Sequence, residues 1–593
     1  MIQPQGQNGP ARFVWVVLGA LSIGFHLWLI FSGLVPSLVS RPLHMALALP
    51  WVFVFKARTP ASRWSGVAFT AIGLFATFYI VRNHSDLSDQ YGSLDGAFQL
   101  WLSLALILTV LEMARRAIGW PLPLITAIAL LYGFFGGRLS GEFAHPGLPV
   151  DSFLGTMTVA EGGLWGSLTG VSVNIVAIFV IMGAVLNAGE AGQGFMNLAT
   201  AAAGRLKGGA AKVSVLSSAL FGSISGSASA NVASTGAITL PAMKKLGYPP
   251  RLAGAVEAVA SSGGQIMPPL MGAGAFVMVE LTGTPYTHIM AAALLPAVLY
   301  FLTVWVGINA YADRFELRPL PQDQMPPARI VLVTSAFFAI PFAVLLERMF
   351  VGGYTPQYAA AWAILTAFVL LFTDTKFSFS LRRTVSRLQN VAISAGSQIA
   401  TIASIILCAG LIISVLGQTG LGIKITSLIL SAGNGHLWPA LLLTALACLV
   451  LGMEVPTTAA YIICVSVAGP ALQQLGLPPL LTHLFVFWFA LLSTITPPVC
   501  GAVFIAAAMI GENWLKVALT AMTLGIGLYV IPLGMIANPA IISPVETPLP
   551  ALFAFGKIGA GLALVSFGLI SRRPVWQRIP LVAGGLLVTL FVF

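Results

Sequence analysis

The sequence predicts an all-α polytopic membrane protein built on inverted repeats, with two re-entrant hairpins, two broken helices and N-terminal bracing helices. Three observations predict it. Of 593 residues, 58% are hydrophobic and only 8% charged, whereas soluble domains carry about 25% charged residues. More than a dozen long apolar runs follow one another along the chain. Two distant stretches also repeat at one unchanged offset.

The composition disposes of several function classes. Twenty-nine Lys plus Arg against 18 Asp plus Glu give a net charge of +11, but the basic residues sit in short loops between apolar runs, so the excess is a topology signal and requires no nucleic acid. The four cysteines, Cys408, Cys448, Cys464 and Cys500, lie inside apolar runs without Cys-x-x-Cys spacing and read as small core residues. Arg12 precedes the run from Phe13 to Phe31, which is long and lacks an A-x-A-like cleavage site, so it reads as a first membrane helix rather than a signal peptide.

About twenty apolar residues span the hydrocarbon core as a helix. The early candidates are Phe13 to Phe31, Leu43 to Phe55, Gly66 to Val81, Phe98 to Leu111, Leu122 to Phe135 and Val171 to Leu186. After two interrupted regions come Ala291 to Ala310, Val331 to Leu346, Ala359 to Phe372 and Ile399 to Leu416; after two more come Trp514 to Ile531, Ala551 to Ile570 and Leu581 to Phe593. Orientation follows from Lys and Arg, which concentrate in cytoplasmic loops. Lys56, Arg58 and Arg63, then Arg115 and Arg116, then Arg205, Lys207 and Lys212, then Lys376, Arg382, Arg383 and Arg387, and finally Arg572, Arg573 and Arg578 are expected inside. Asp86, Asp89, Asp95, Glu142, Asp151 and Glu161 are expected outside, with the N-terminus cytoplasmic.

The repeat aligns Pro241-Ala-Met-Lys-Lys-Leu-Gly-Tyr-Pro-Pro250 with Pro470-Ala-Leu-Gln-Gln-Leu-Gly-Leu-Pro-Pro479, and the same shift of 229 brings Ile266-Met-Pro-Pro-Leu-Met-Gly-Ala273 onto Ile495-Thr-Pro-Pro-Val-Cys-Gly-Ala502. Lys244 and Lys245 in the first copy become Gln473 and Gln474 in the second, so one loop reads as cytoplasmic and its twin as periplasmic. Inverted repeats with discontinuous helices characterise secondary transporters, whose substrate and coupling ions bind near mid-membrane. In the first copy, the span from Ala211 to Met243 reads as a hairpin with a Gly- and Ser-rich tip at Gly222 to Gly236. The span from Leu252 to Glu280 reads as a helix broken at Ser261-Ser-Gly-Gly-Gln-Ile-Met-Pro-Pro269. The second copy repeats this with Gly452-Met-Glu-Val-Pro-Thr-Thr458 and Ser493-Thr-Ile-Thr-Pro-Pro498. Each piece has a plainer reading: Gly222 and Gly226 form a close-packing G-x-x-x-G, Pro-Pro pairs kink helices, and a lone Ser or Thr bonds its own backbone.

Leu111-Glu-Met-Ala-Arg-Arg-Ala-Ile-Gly-Trp-Pro121, the tip through Asn231, Glu257-Ala-Val-Ala-Ser-Ser-Gly-Gly-Gln-Ile-Met-Pro-Pro269 and the Pro-Thr-Thr and Thr-Pro-Pro pieces resemble the fused permeases of tripartite ATP-independent periplasmic (TRAP) transporters, the TAXI subgroup in particular. The resemblance implies an inverted-repeat transporter of elevator type that imports a small organic anion, a four-carbon dicarboxylate or related carboxylate, delivered by a separate extracytoplasmic TAXI-type binding protein. It implies coupling to sodium or protons, with no other cofactor. Carried onto this chain, cation coupling falls on Ser225, Ser227, Gly263, Gly264, Pro268, Thr494, Thr496 and Pro497, and substrate on Ser229, Asn231, Ser234, Thr235, Thr457 and Thr458. Glu454 departs from the family's usual small or apolar residue. A carboxylate at membrane depth costs about 3 kcal/mol, so it reads as part of a sodium site, as the carrier of a coupled proton, or as a structural Glu held by backbone. Glu257, Glu280 and His483 invite the same question, with His483 also placed to anchor a helix end.

The expected division is residues 1–137 as small-subunit-like helices, 138–540 as the large permease subunit with repeats near 171–310 and 399–540, and 541–593 as additional membrane helices, all in a bacterial or archaeal cytoplasmic membrane. The rival readings are an autonomous cation/dicarboxylate symporter needing no binding protein, a membrane enzyme and a channel. The enzyme reading finds no H-E-x-x-H or G-x-S-x-G to support it.

Overall fold

The computed structural model describes residues 10–269, 271–452, 456–498 and 500–591, and Glu454 therefore lies outside the described residues. Among these residues all regular structure is helical, and eleven helices are long and apolar enough to cross a membrane. Several expected spans are present with longer ends: Pro10–Phe31, Pro60–Arg82, Gly96–Ile118, Tyr286–Phe315 and Pro548–Ile570 each exceed their apolar runs by three residues or more. Capping explains one such extension, since the Thr59 side chain accepts from Ser62 N and Pro60 opens the helix it can start but not continue.

The largest departure is the helix expected from Ile399, which runs from Leu381 to Thr419. At ~58 Å it is about twice the hydrocarbon thickness. Arg382, Arg383 and Arg387 thus lie in its first turns rather than in a loop. Ser380 caps it by accepting from Arg383 N, and Arg387 reaches the Thr373 carbonyl at 2.6 Å and pairs with Glu190. The region expected as one helix from Trp514 is two, Trp514–Leu524 and Gly527–Ala537. The step between them sits at Gly525, where a Cβ would stand 2.8 Å from Ile495 of the second break.

The turn ahead of the long helix is organised by Asp374. Its carboxylate accepts from Lys376 N, Ser378 N, Ser378 Oγ and Arg383 Nη1 at 2.6–2.9 Å. The Ser378 hydroxyl, then backbone N–H groups and the Arg383 charge, hold this carboxyl well below the usual carboxylate range. Because the folded pKa is depressed, the turn's stabilisation is fully present above about pH 4 and is lost only as pH falls through the folded value. We expect amide exchange across residues 374–384 to be faster in Asp374→Asn at pH 7. The two proteins should converge in strong acid.

Charged residues gather at two ends. At one, Arg115 and Arg116 share Glu112 at 2.6 Å, Arg116 also donates to the Ser62 carbonyl at 2.8 Å, and Lys56 donates to Thr401 at 2.7 Å. At the other, Arg41 pairs with Glu161 at 3.5 Å, Leu94 N donates to the Asp151 carbonyl, and Gln418, at the far end of the long helix, reaches the Phe153 carbonyl.

The N-terminal helices are joined to the rest by a directional chain of imidazoles. His26 Nδ1 faces the Ser22 carbonyl at 2.6 Å, and a carbonyl only accepts, so this nitrogen carries the proton. His26 Nε2 then accepts from His44 Nδ1 at 2.8 Å, leaving His44 Nε2 to accept from the Ser172 hydroxyl at 3.0 Å. Both rings are 1% exposed, so the polarity of every link is fixed by satisfaction alone. Ser172 opens a π-helical turn, Ser172–Val176, within the span Ser167–Ala188.

Candidate functional site

The repeat is visible in element boundaries. Helix Ala228–Lys245 recurs as Thr457–Gln474 with both ends shifted by 229, and Pro250–Gly263 recurs as Pro479–Leu491 with the same shift at its start. Gly209–Ser225 packs against Ala228–Lys245 across the two-residue tip Gly226-Ser227, and Leu437–Gly452 likewise packs against Thr457–Gln474. After each broken helix comes a short second half, Ala273–Thr282 or Gly501–Ile510, separated by a non-helical stretch in which the peptide bond between the two prolines is cis.

The copies interlock reciprocally. Gly501–Ile510 of the second packs on Ala228–Lys245 of the first, while Ala273–Thr282 of the first packs on Thr457–Gln474 of the second. A contact made by element i of one copy with j of the other, and by j with i, is that of a two-fold-related pair. The breaks meet directly: Thr494 Oγ1 donates to Ser262 Oγ at 2.8 Å, with both side chains buried. Removing this hydroxyl in Thr494→Val keeps the shape and forfeits the bridge. A loss of about 1 kcal/mol, read as a lower melting temperature, is expected.

In the first copy, a polar cage closes around Glu257, which is 0% exposed. Its carboxylate accepts from Ser214 at 2.7 Å, from Ser261 at 3.3 Å, from Ser218 at 3.4 Å, and from Thr235 and Thr239. Each of three helices contributes a pair four residues apart, 214/218, 235/239 and 257/261, so one face of each helix turns to a common centre. Asn231, also 0% exposed, donates to the Ser218 carbonyl at 2.8 Å and the Ser261 carbonyl at 3.4 Å, tying the hairpin to the broken helix. Beneath it, Gly222 and Gly264 touch backbone to backbone: a Cβ on Gly222 would stand 2.3 Å from Gly264 Cα. Close packing is therefore the role of Gly222, while Gly226 ends its helix at φ +59° and lies against Gly272.

The expected site residues separate into two groups. Asn231 and Thr235 are buried in the cage; Gly263 packs under Tyr300, where a Cβ would come within 2.3 Å, and Thr496 shares a 2.6 Å hydrogen bond with Tyr529. Ser227 caps the helix after the tip by accepting from Ala230 N, Ser225 donates to the Ser227 carbonyl at 3.5 Å, and Pro268 and Pro497 are half-buried at the breaks. By contrast Ser229, Ser234, Thr457 and Thr458 are exposed or half-buried, and among the described residues none has a hydrogen-bond partner. Ser229 Oγ lies 3.6 Å from where a Cβ on Gly501 would be, at the start of the other copy's second half-helix. Thr457 and Thr458 occupy the first turn of their own helix. Glu280 is exposed at a helix end, and His483 sits inside its helix, buried, with Nδ1 2.8 Å from Tyr461 Oη.

Hydroxyls that lack a partner among the described residues, those of Ser229, Thr457 and Thr458 in the first turns of their helices, together with unwound backbone where two interlocked copies meet inside a many-spanning helical protein, define a permease built from repeats. Residues 105–547 match the family described as "Tripartite ATP-independent periplasmic transporter, DctM component", and the chain belongs to that family. It is similar to the C4-dicarboxylate TRAP transporter large permease protein DctM of Pseudomonas aeruginosa, at 26% identity over 57% of this chain and 77% of that one. It is also similar to the ectoine TRAP transporter large permease protein TeaC of Halomonas elongata (26% identity, 68% and 89%) and to the 2,3-diketo-L-gulonate TRAP transporter large permease protein YiaN of Escherichia coli (25% identity, 55% and 74%). These relatives are transporters, not enzymes, and permeases of this family work with an extracytoplasmic substrate-binding protein.

Proposed function

We propose that this chain imports a small organic anion, a four-carbon dicarboxylate or related carboxylate, by cation-coupled secondary transport, with a TAXI-type binding protein delivering the substrate. The observation that carries this reading is the set of hydroxyls on Ser229, Ser234, Thr457 and Thr458 that have no hydrogen-bond partner among the described residues, with Ser229 of the first copy lying against the start of the second copy's half-helix at Gly501. Half-helix N-termini favour carboxylates, and hydroxyls orient them. Coupling cations take the break and tip oxygens around Ser225, Ser227, Gly263, Gly264, Pro268, Thr494, Thr496 and Pro497, together with Glu454. The interlocked copies run in opposite directions through the inner membrane and move as an elevator. The end carrying Arg116 and Arg387 faces the cytoplasm, and residues 1–137 serve as a fused small subunit.

Moving a dianion inward against 100 mV costs about 4.6 kcal/mol, so at least two cations must accompany it. The test is uptake by proteoliposomes under separate sodium and proton gradients, with and without the binding protein. Uptake dependent on one gradient and on the binding protein is expected. Uptake indifferent to both gradients would overturn coupling, and full uptake without the binding protein would favour the autonomous symporter.

A further inference from the structure

Away from the repeats' meeting point, a cavity of about 250 Å³ opens where the first turn of Pro250–Gly263, the last turns of Tyr286–Phe315 and one face of Trp514–Leu524 converge. Three cations line it, Arg251, Arg314 and Lys516. Among the described residues neither guanidinium has a carboxylate partner: Arg314 has only the Phe315 ring, 5.7 Å from its Cζ. Lys516 faces Glu512 at 3.6 Å, and nearby Asp313 is engaged by Lys207. The cavity therefore keeps a net positive charge with no anion to meet it, and crowding like charges has a standing cost that an anionic occupant removes.

One flank of the cavity identifies the source of that anion. Leu519 lines it and is 57% exposed, and Leu515 one turn earlier is 45% exposed. In a membrane-embedded helix these form an apolar strip facing acyl chains. A free anion would use the cations and leave the strip unused, whereas a phospholipid uses both: phosphate against the basic side chains, chains along the leucines. Basic pockets between membrane helices suit anionic headgroups. We infer that Arg251, Arg314 and Lys516 bind the phosphodiester headgroup of an anionic glycerophospholipid, which fastens three helices from both copies of the repeat at one end of the molecule.

The test uses the full chain in an uncharged detergent, titrated with phosphatidylglycerol, with phosphatidylcholine and with inorganic phosphate, read by melting temperature and by retained lipid in native mass spectrometry. Phosphatidylglycerol is expected to bind and raise the melting temperature; phosphatidylcholine and inorganic phosphate are not. Arg251→Gln and Arg314→Gln should each weaken phosphatidylglycerol binding by roughly fivefold. Arg314→Lys should retain most of it, which separates lost charge from lost fold. Unchanged binding in both Gln variants would overturn the assignment. So would an equal loss in Arg63→Gln, which removes the same charge elsewhere on the surface, or equal protection by inorganic phosphate, which would make the occupant a free anion.

Discussion

Gly264→Ala is expected to abolish uptake and to destabilise the protein by about 3 kcal/mol or more. The added methyl would stand 2.4 Å from Gly222 Cα, 2.9 Å from Asn231 Nδ2 and 3.1 Å from the Ser218 carbonyl, so two of its three nearest obstacles are backbone that no rotamer change can clear. Accommodating it means moving the hairpin off the broken helix by on the order of 1 Å, which lengthens both Asn231 hydrogen bonds beyond use. Gly222→Ala should behave alike, because its methyl meets the same pair of backbones from the other side. Gly584→Ala is the control: nothing lies within 4 Å of its added methyl, and as a residue inside helix Val575–Leu590 it should gain about 0.5–1 kcal/mol. A melting series on the three variants, with uptake measured on each, checks the expectation.

The second large effect is expected at Glu257. Glu257→Ala removes the acceptor for five hydroxyls. Thr235 and Thr239 can fall back on the Asn231 and Thr235 carbonyls, 2.8 and 3.1 Å away, but among the described residues Ser214 and Ser261 have no second partner and are left dry. With two orphaned donors and a vacated side-chain volume, a loss of about 2–4 kcal/mol follows. Glu257→Gln should stay within about 1 kcal/mol of the native protein, because its amide oxygen still accepts and its NH2 meets hydroxyls that can turn to accept. A Gln variant as unstable as the Ala variant would mean that the carboxylate's charge, not its shape, holds the cage.

Much of the architecture was legible in the chain because lipid leaves few choices: apolar runs must be helices, and the 229-residue offset reappears in helix ends such as Ala228 and Thr457. The cage was less so. The pairs 214/218, 235/239 and 257/261 are visible as spacing, yet a hydroxyl in a membrane helix satisfies itself on its own backbone by default, and only the crossing of three helices turns these pairs to one carboxylate. For the same reason the chain does not tell Asn231, engaged on every side, from Ser229 two residues earlier, which has no partner among the described residues. Nor does anything in the spacing of His26 and His44, or the distance to Ser172, announce that they meet.

That imidazole chain has no slack. Rotating the first helix by one residue, about 100°, would carry Ser22 and His26 round together and swing His26 away from His44, leaving the buried His44 Nδ1 without its acceptor. The first two helices are thus keyed to the π-turn at Ser172, and a shift of either one against it breaks a buried link.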